Sequence, residues 1–329
     1  MARHGISTFF FRLLGAMALL ASMCAAQAQT RALRAAVLKF GTVNWELNTI
    51  VHHKLDAKHG FSLEVQGLAG EAAGKIAFQG GTADMIVTDW IWVARQRAAG
   101  KDFVFIPYSK AVGGLMVPAN SPAKSLADLK GGKIGVAGGP LDKSWLLLQA
   151  LAKKRHGFDL AREAEPVFGA PPLIFKQALQ GEIAGAINFW HFMAKMEAAG
   201  MRRLISVAEA ATALGLDPET PLLGYVVKGE LVREKPELVA GFAAASRDAK
   251  QLLANDDAEW ERLRPVMNAA DDAEFNALKA GFRAGIPSPV PIDEKAAARL
   301  LAVMAELGGK DLVGDATTLP DGVFYQAGH

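Results

Sequence analysis

Cysteine is almost absent from these 329 residues: Cys24 is the only one. Acidic residues are missing from the first 28 positions, which carry Arg3 and Arg12. An apolar run from Leu13 to Leu20 follows, then Ala26-Gln27-Ala28, the pattern of a secretory leader cleaved after Ala28. The run is too short to span a bilayer; an uncleaved anchor is the other reading. Lipidation at Cys24 is not expected, because Met23 before it is not small. Loss of the leader would remove the only thiol. Disulfides, a cysteine nucleophile and a thiolate metal site are thereby excluded from the expected mature chain. It would also take the formal charge from +2 to zero, which argues against nucleic acid or an anionic membrane as partner. No later apolar stretch approaches the length of a membrane helix. A nucleophile elbow, a phosphate loop and a zincin motif are also missing, so neither a cofactor nor a catalytic centre is expected.

What is present is a globular composition, 51% hydrophobic and 21% charged, with strands and helices in alternation. Strands are expected at Leu33 to Phe40, Phe61 to Val65, Met85 to Thr88, Phe103 to Pro107, Lys133 to Ala137, Ala184 to Asn188 and Leu222 to Val227. Between them, helices are expected up to Gly60 from near Leu47, and over Glu71 to Gln79, Trp90 to Ala99, Asp142 to His156, Leu173 to Gln180 and Phe189 to Ala199. This is the pattern of βαβ units and a largely parallel sheet. After Val227 the pattern turns wholly helical, over Lys235 to Ala254, Ala258 to Met267, Asp272 to Phe282 and Asp293 to Leu307. Helices packing on existing lobes explain such a tail better than a third domain.

One segment carries a family resemblance. Ser121-Pro122-Ala123-Lys124-Ser125-Leu126-Ala127-Asp128-Leu129-Lys130-Gly131-Gly132-Lys133-Ile134-Gly135-Val136 resembles a stretch of the substrate-binding proteins of the nitrate/sulfonate/taurine class, the SsuA/THI5-like superfamily. Gly80-Gly81-Thr82-Ala83-Asp84-Met85 and Lys235-Pro236-Glu237-Leu238-Val239 match it in the right order. The resemblance implies a two-lobed α/β periplasmic binding-protein fold of type II, each lobe a mixed sheet flanked by helices, with two crossover strands. These fall near Gly113 to Val117 and Leu222 to Val226. Residues 29–114 and 223–329 would form one lobe and 115–222 the other. It further implies a monomer in the periplasm that closes on a small molecule and delivers it to an ABC permease. The superfamily's pyrimidine synthases use a cysteine-rich motif that this chain lacks. A ligand-sensing or accessory role, including metal-chelate capture, is not separable from transport at this stage.

In open α/β sheets ligands bind beyond the carboxyl ends of the strands. That rule selects loops carrying Thr42, Asn44, Trp45, Glu46, Glu71, Thr88, Asp89, Trp90, Ser109, Gly139, Asp142, Ser144, Asn188, Trp190 and His191 as candidate contacts. Tryptophans there could stack on a ligand or plug lobe cores. Free N–H groups at Glu71, Trp90 and Ser144 could hold an anion. Glu46, Glu71, Asp89 and Asp142 set against Lys110 and Lys143 favour instead a cationic, amino-aromatic or metal-bearing ligand, unless Asp89 and Asp142 only cap their helices. His52 and Asp56 lie one helical turn apart as a possible metal pair, with solvated helix surface the simpler reading.

Overall fold

The computed structural model describes residues 31–326. The predicted leader, its cleavage point and Cys24 lie outside them. Ten strands form two five-stranded mixed sheets of the same design. The first contains β1 (Arg31–Leu38), β2 (Phe61–Leu68), β3 (Met85–Asp89), β4 (Phe103–Ser109) and β10 (Leu223–Lys228), in the order β2-β1-β3-β10-β4. The second contains β5 (Gly114–Val117), β6 (Lys133–Ala137), β7 (Glu165–Gly169), β8 (Gly185–Asn188) and β9 (Arg202–Ser206), in the order β7-β6-β8-β5-β9. In each sheet the fourth strand alone runs antiparallel to its neighbours: β10 against β3 and β4, β5 against β8 and β9. These two strands follow the chain's crossings between the sheets.

Period-two alternation sorts the strand side chains. On β10, Tyr225 and Val227 enter one core and Val226 the other. On β5, Leu115 and Val117 face away from Met116. Both faces of each sheet are therefore apolar and must be covered by helices.

The first sheet carries α1 (Val43–His52), α2 (Leu55–Lys58), α3 (Glu71–Gln79) and α4 (Trp90–Ala98). The second carries α5 (Lys143–His156), α6 (Leu160–Glu163), α7 (Pro171–Leu179), α8 (Trp190–Ala198) and α9 (Val207–Leu214). The helix expected to run to Gly60 is split after His52, where Lys54 adopts the left-handed region at φ 53°. That break separates His52 from Asp56. The Asp56 carboxylate accepts instead from the backbone N–H groups of Ala57 (2.8 Å) and Leu63 (3.0 Å), so the paired metal reading fails.

The family-like segment contains a short 3-10 turn, Leu126–Leu129, whose capping box joins Ser125 and Asp128. The tail forms α10 (Gly229–Glu234), α11 (Pro236–Asn255), α12 (Asp257–Met267), α13 (Asp272–Gly285) and α14 (Glu294–Val313). Of these, α11 and α12 cover α1, while α13 lies on α8 and α14 reaches α5. Leu146, Leu147, Val207 and Ala211 share one apolar cluster with Ala297, Leu300 and Leu301. The tail thus packs across both halves of the molecule. The last described residues close the β4 edge: Phe105 donates to the Val323 carbonyl (2.7 Å) and Tyr325 donates to that of Phe105 (2.8 Å). An edge paired in this way is no longer open to other chains.

Candidate ligand-binding site

The carboxyl ends of the two sheets face each other, and several contacts cross between the two halves. Lys143 at the start of α5 pairs with Asp89 at the end of β3 (2.7 Å). Trp190 at the start of α8 meets Trp45 edge to face, 6.0 Å between centroids. Lys195 of α8 donates to Glu274 (2.9 Å) and to the carbonyl of Asn268 (2.7 Å).

Beside the Trp45–Trp190 contact lies a groove of about 880 Å³, within the range of small-molecule sites. Its walls come from the β1–α1 loop, α1, the α12–α13 connection and α8. Thr42, Asn44, Trp45 and His191 line it, as does Lys195. Asn44 also locks the loop, donating to the carbonyls of Leu38 and Gly41 (both 2.8 Å). Burial, with Lys195 adding to it, pushes the His191 imidazole down to about 4. It is therefore neutral at neutral pH, and its ring packs beside those of Phe189, Trp190 and Phe192. On the far side of Trp190 a second cavity of about 520 Å³ opens beneath the crossover residues Lys110 to Gly113.

The other candidate residues have different surroundings. Glu46 is fully buried and closed off from any ligand. Its carboxylate takes both contacts from Lys250 (2.9 and 2.8 Å) and accepts from Tyr225 (2.8 Å) and Ser246 (2.6 Å). A charge with no water must be paired, and α11 supplies the partner. Trp90 is also fully buried, packed on Phe324 at 5.6 Å, so it is core and not a stacking surface. Thr88 is buried within β3. Ser109 is tied to Gly285 and Ala111 (3.3 and 3.0 Å). Asn188 is buried, donating to Pro171 and accepting from Phe189. Ser144 is buried beside Gly113, where a Cβ would come within 3.2 Å of its hydroxyl and 2.2 Å of the Asn188 carbonyl. Only glycine fits that crossover.

The remaining carboxylates also have local duties. Asp89 caps α4 through Trp92 N–H (2.9 Å). Burial works against its charge, but Lys143 outweighs burial and holds the carboxyl below the usual range. Asp142 caps α5 through Trp145 N–H (3.0 Å). Glu71 is exposed at the first residue of α3, near Lys75. The helix ends at Trp90 and Ser144 are thus already occupied by their own caps, while α3 has Gly70 at its cap position and so no side-chain cap. Gly138 and Gly139, at φ 95° and 104°, turn the chain tightly between β6 and the Asp142 cap.

Asp142 allows a test of sign. Burial pushes its carboxyl upward, so its charge costs stability while its cap adds some. Asp142→Ala is expected to cost about 1 kcal/mol through the lost cap. Asp142→Asn keeps the acceptor and removes the buried charge, so it should be neutral or slightly stabilising in urea unfolding. A loss for Asn as large as that for Ala would show that the charge itself stabilises.

Sequence reasoning missed Lys39, Phe40, Phe192 and Lys195 in the groove. Lys195 had a signal available, since it lies one helical turn from His191.

The fold has close structural relatives. The periplasmic aliphatic sulphonate binding protein SsuA from Escherichia coli superposes with a TM-score of 0.68 at 20% identity, covering 88% of this chain and 98% of that one. The alkanesulfonate-binding protein SsuA from Xanthomonas axonopodis pv. citri, bound to MOPS, gives 0.67 at 17% identity over 91% and 100%. A putative sulfonate ABC transporter periplasmic protein from Methylobacillus flagellatus KT gives 0.65 at 18% over 88% and 91%. No curated protein sequence matches the chain. The pattern of the family described as NMT1/THI5 like matches residues 57–259, more than half of the chain. The protein is therefore a member of the NMT1/THI5-like family.

Proposed function

We propose that this chain is the solute-binding component of an ABC importer, and that it captures a small organic anion between its two lobes. The observation that carries this reading is the groove, whose walls come from both halves and which no aspartate or glutamate lines among the described residues. The case for a cationic ligand rested on Glu46, Glu71, Asp89 and Asp142. Two of these are paired with lysine across buried contacts, one caps a helix, and one lies exposed beside Lys75. With those charges accounted for, and Lys195 paired with Glu274, Lys39 gives the groove a positive character. The sulfonate ligands named for the structural relatives agree with it.

We assign residues 29–114 and 223–329 to one lobe and 115–222 to the other, with rotation about the crossovers closing the cleft. The protein acts in the periplasm as a monomer, without catalysis, and presents the closed form to a permease.

A thermal-shift series tests the reading. Organic sulfonates at 100 times their dissociation constant should stabilise by about 2.7 kcal/mol. Matched quaternary ammonium compounds should give no shift. Stabilisation by the cations alone would overturn the anion reading.

A further inference from the structure

The groove is larger than a bare acid group needs, and most of it is apolar. Phe40 at its mouth is 79% exposed, Val266 50%, Val51 46% and Val65 41%. Large apolar side chains clustered in one exposed concavity mark a binding surface. These four come from different elements: the β1–α1 loop, the end of α12, α1 and β2. Leu47, Leu63, Met267 and Leu278 deepen the same surface.

The polar groups are few. Lys39 has no carboxylate partner among the described residues, and its ammonium lies 5.4 Å from the Phe40 ring. The His191 ring packs beside other rings and makes no hydrogen bond among the described residues. Lys195 is already held by Glu274. The groove therefore offers one unpaired cation, one unpartnered imidazole and a long apolar wall.

We infer that the groove along α1 is an apolar subsite that extends the cleft, and that it selects organic anions with a large alkyl or aryl body. The acid end sits with Lys39 and His191, and the body lies against Phe40, Val51, Val65 and Val266. This rests on the binding reading above and adds a size requirement to it. A two-carbon acid would leave the wall exposed to water. Each further methylene laid on it should tighten binding about fourfold.

Calorimetric titration of the full chain with ethane-, butane-, hexane- and octanesulfonate, and with octyltrimethylammonium, tests the inference. Octanesulfonate is expected to bind on the order of 100-fold tighter than ethanesulfonate, with about half of its added methylenes buried at that fourfold step. Octyltrimethylammonium should bind far more weakly. Val266→Thr should lower the affinity for octanesulfonate more than that for ethanesulfonate, flattening the chain-length dependence without adding charge. Lys39→Glu should weaken every sulfonate by a similar factor. Both positions are exposed, so neither change endangers folding. Equal affinity along the sulfonate series would overturn the subsite and leave the cleft reading standing. Failure of every sulfonate to bind would overturn both.

Discussion

Lys250→Met is expected to be among the most damaging single changes this protein can carry. Lys250 and Glu46 form a buried ion pair, at 2.9 and 2.8 Å. The pair is enclosed by the rings of Tyr108 and Tyr225, 5.3 and 5.8 Å from the ammonium. Burial pulls the lysine below its ordinary range, and Glu46 opposes that pull. Removing the lysine leaves a carboxylate in the core with only two hydroxyl donors, Tyr225 and Ser246. Stranding one member of a buried pair costs about 3–5 kcal/mol, a fall in Tm on the order of 10 °C for a domain of 150–250 residues. The double change Glu46→Gln with Lys250→Met removes both charges and should recover much of the loss.

A deficit in Lys250→Met under about 1 kcal/mol, the size of an exposed pair, would show that the Glu46–Lys250 contact is not the buried pair described.

The pair also explains why Glu46 misleads a reader of the sequence. Position alone puts it in the first turn of α1 beside Trp45, where a ligand contact is reasonable. Its burial depends on α11, whose Lys250 lies 204 residues further on. Nothing local encodes that meeting. Asp89 and Asp142 were legible because a cap is a local device: an acid precedes a helix and accepts from an N–H three residues on. The central strands were legible for a similar reason, since sheets covered on both faces give continuous apolar runs.

The edge strands β7 and β9 were not expected from the sequence. β7 contains Pro166, which an edge tolerates and a central strand does not. β9 begins Arg202-Arg203, and charge is how edges resist unwanted pairing. The features that protect an edge also erase its strand signal. The groove shared this fate. Its wall is assembled from β2, α1, the end of α12 and α8, and each contributes side chains that look like ordinary surface exceptions when taken alone.

Trp190→Ala is expected to open the molecule. The Trp190 ring leaves the α8 start and packs edge to face on Trp45 at 6.0 Å and on Phe282 at 6.5 Å. Both partners belong to the half built on the first sheet. Aromatic pairs contribute about 0.5–1.5 kcal/mol each beyond area burial, so two of them weigh about 1–3 kcal/mol. That is a shift of about 5- to 150-fold between closed and open forms. Small-angle scattering should show a larger radius of gyration without ligand, and affinity should fall by a comparable factor.

Gly281 reaches the same contact from the other side. A Cβ there would lie 2.8 and 2.9 Å from Trp190 ring carbons, too close to accommodate. Gly281→Ala should therefore displace the ring while strengthening α13 by roughly 1 kcal/mol of helix propensity. The variant is expected to open as Trp190→Ala does while its own half gains stability, which separates loosening of the contact from damage to the fold. If neither variant enlarges the unliganded protein nor weakens binding, Trp190 is a plug in a rigid body and closure by rotation is wrong.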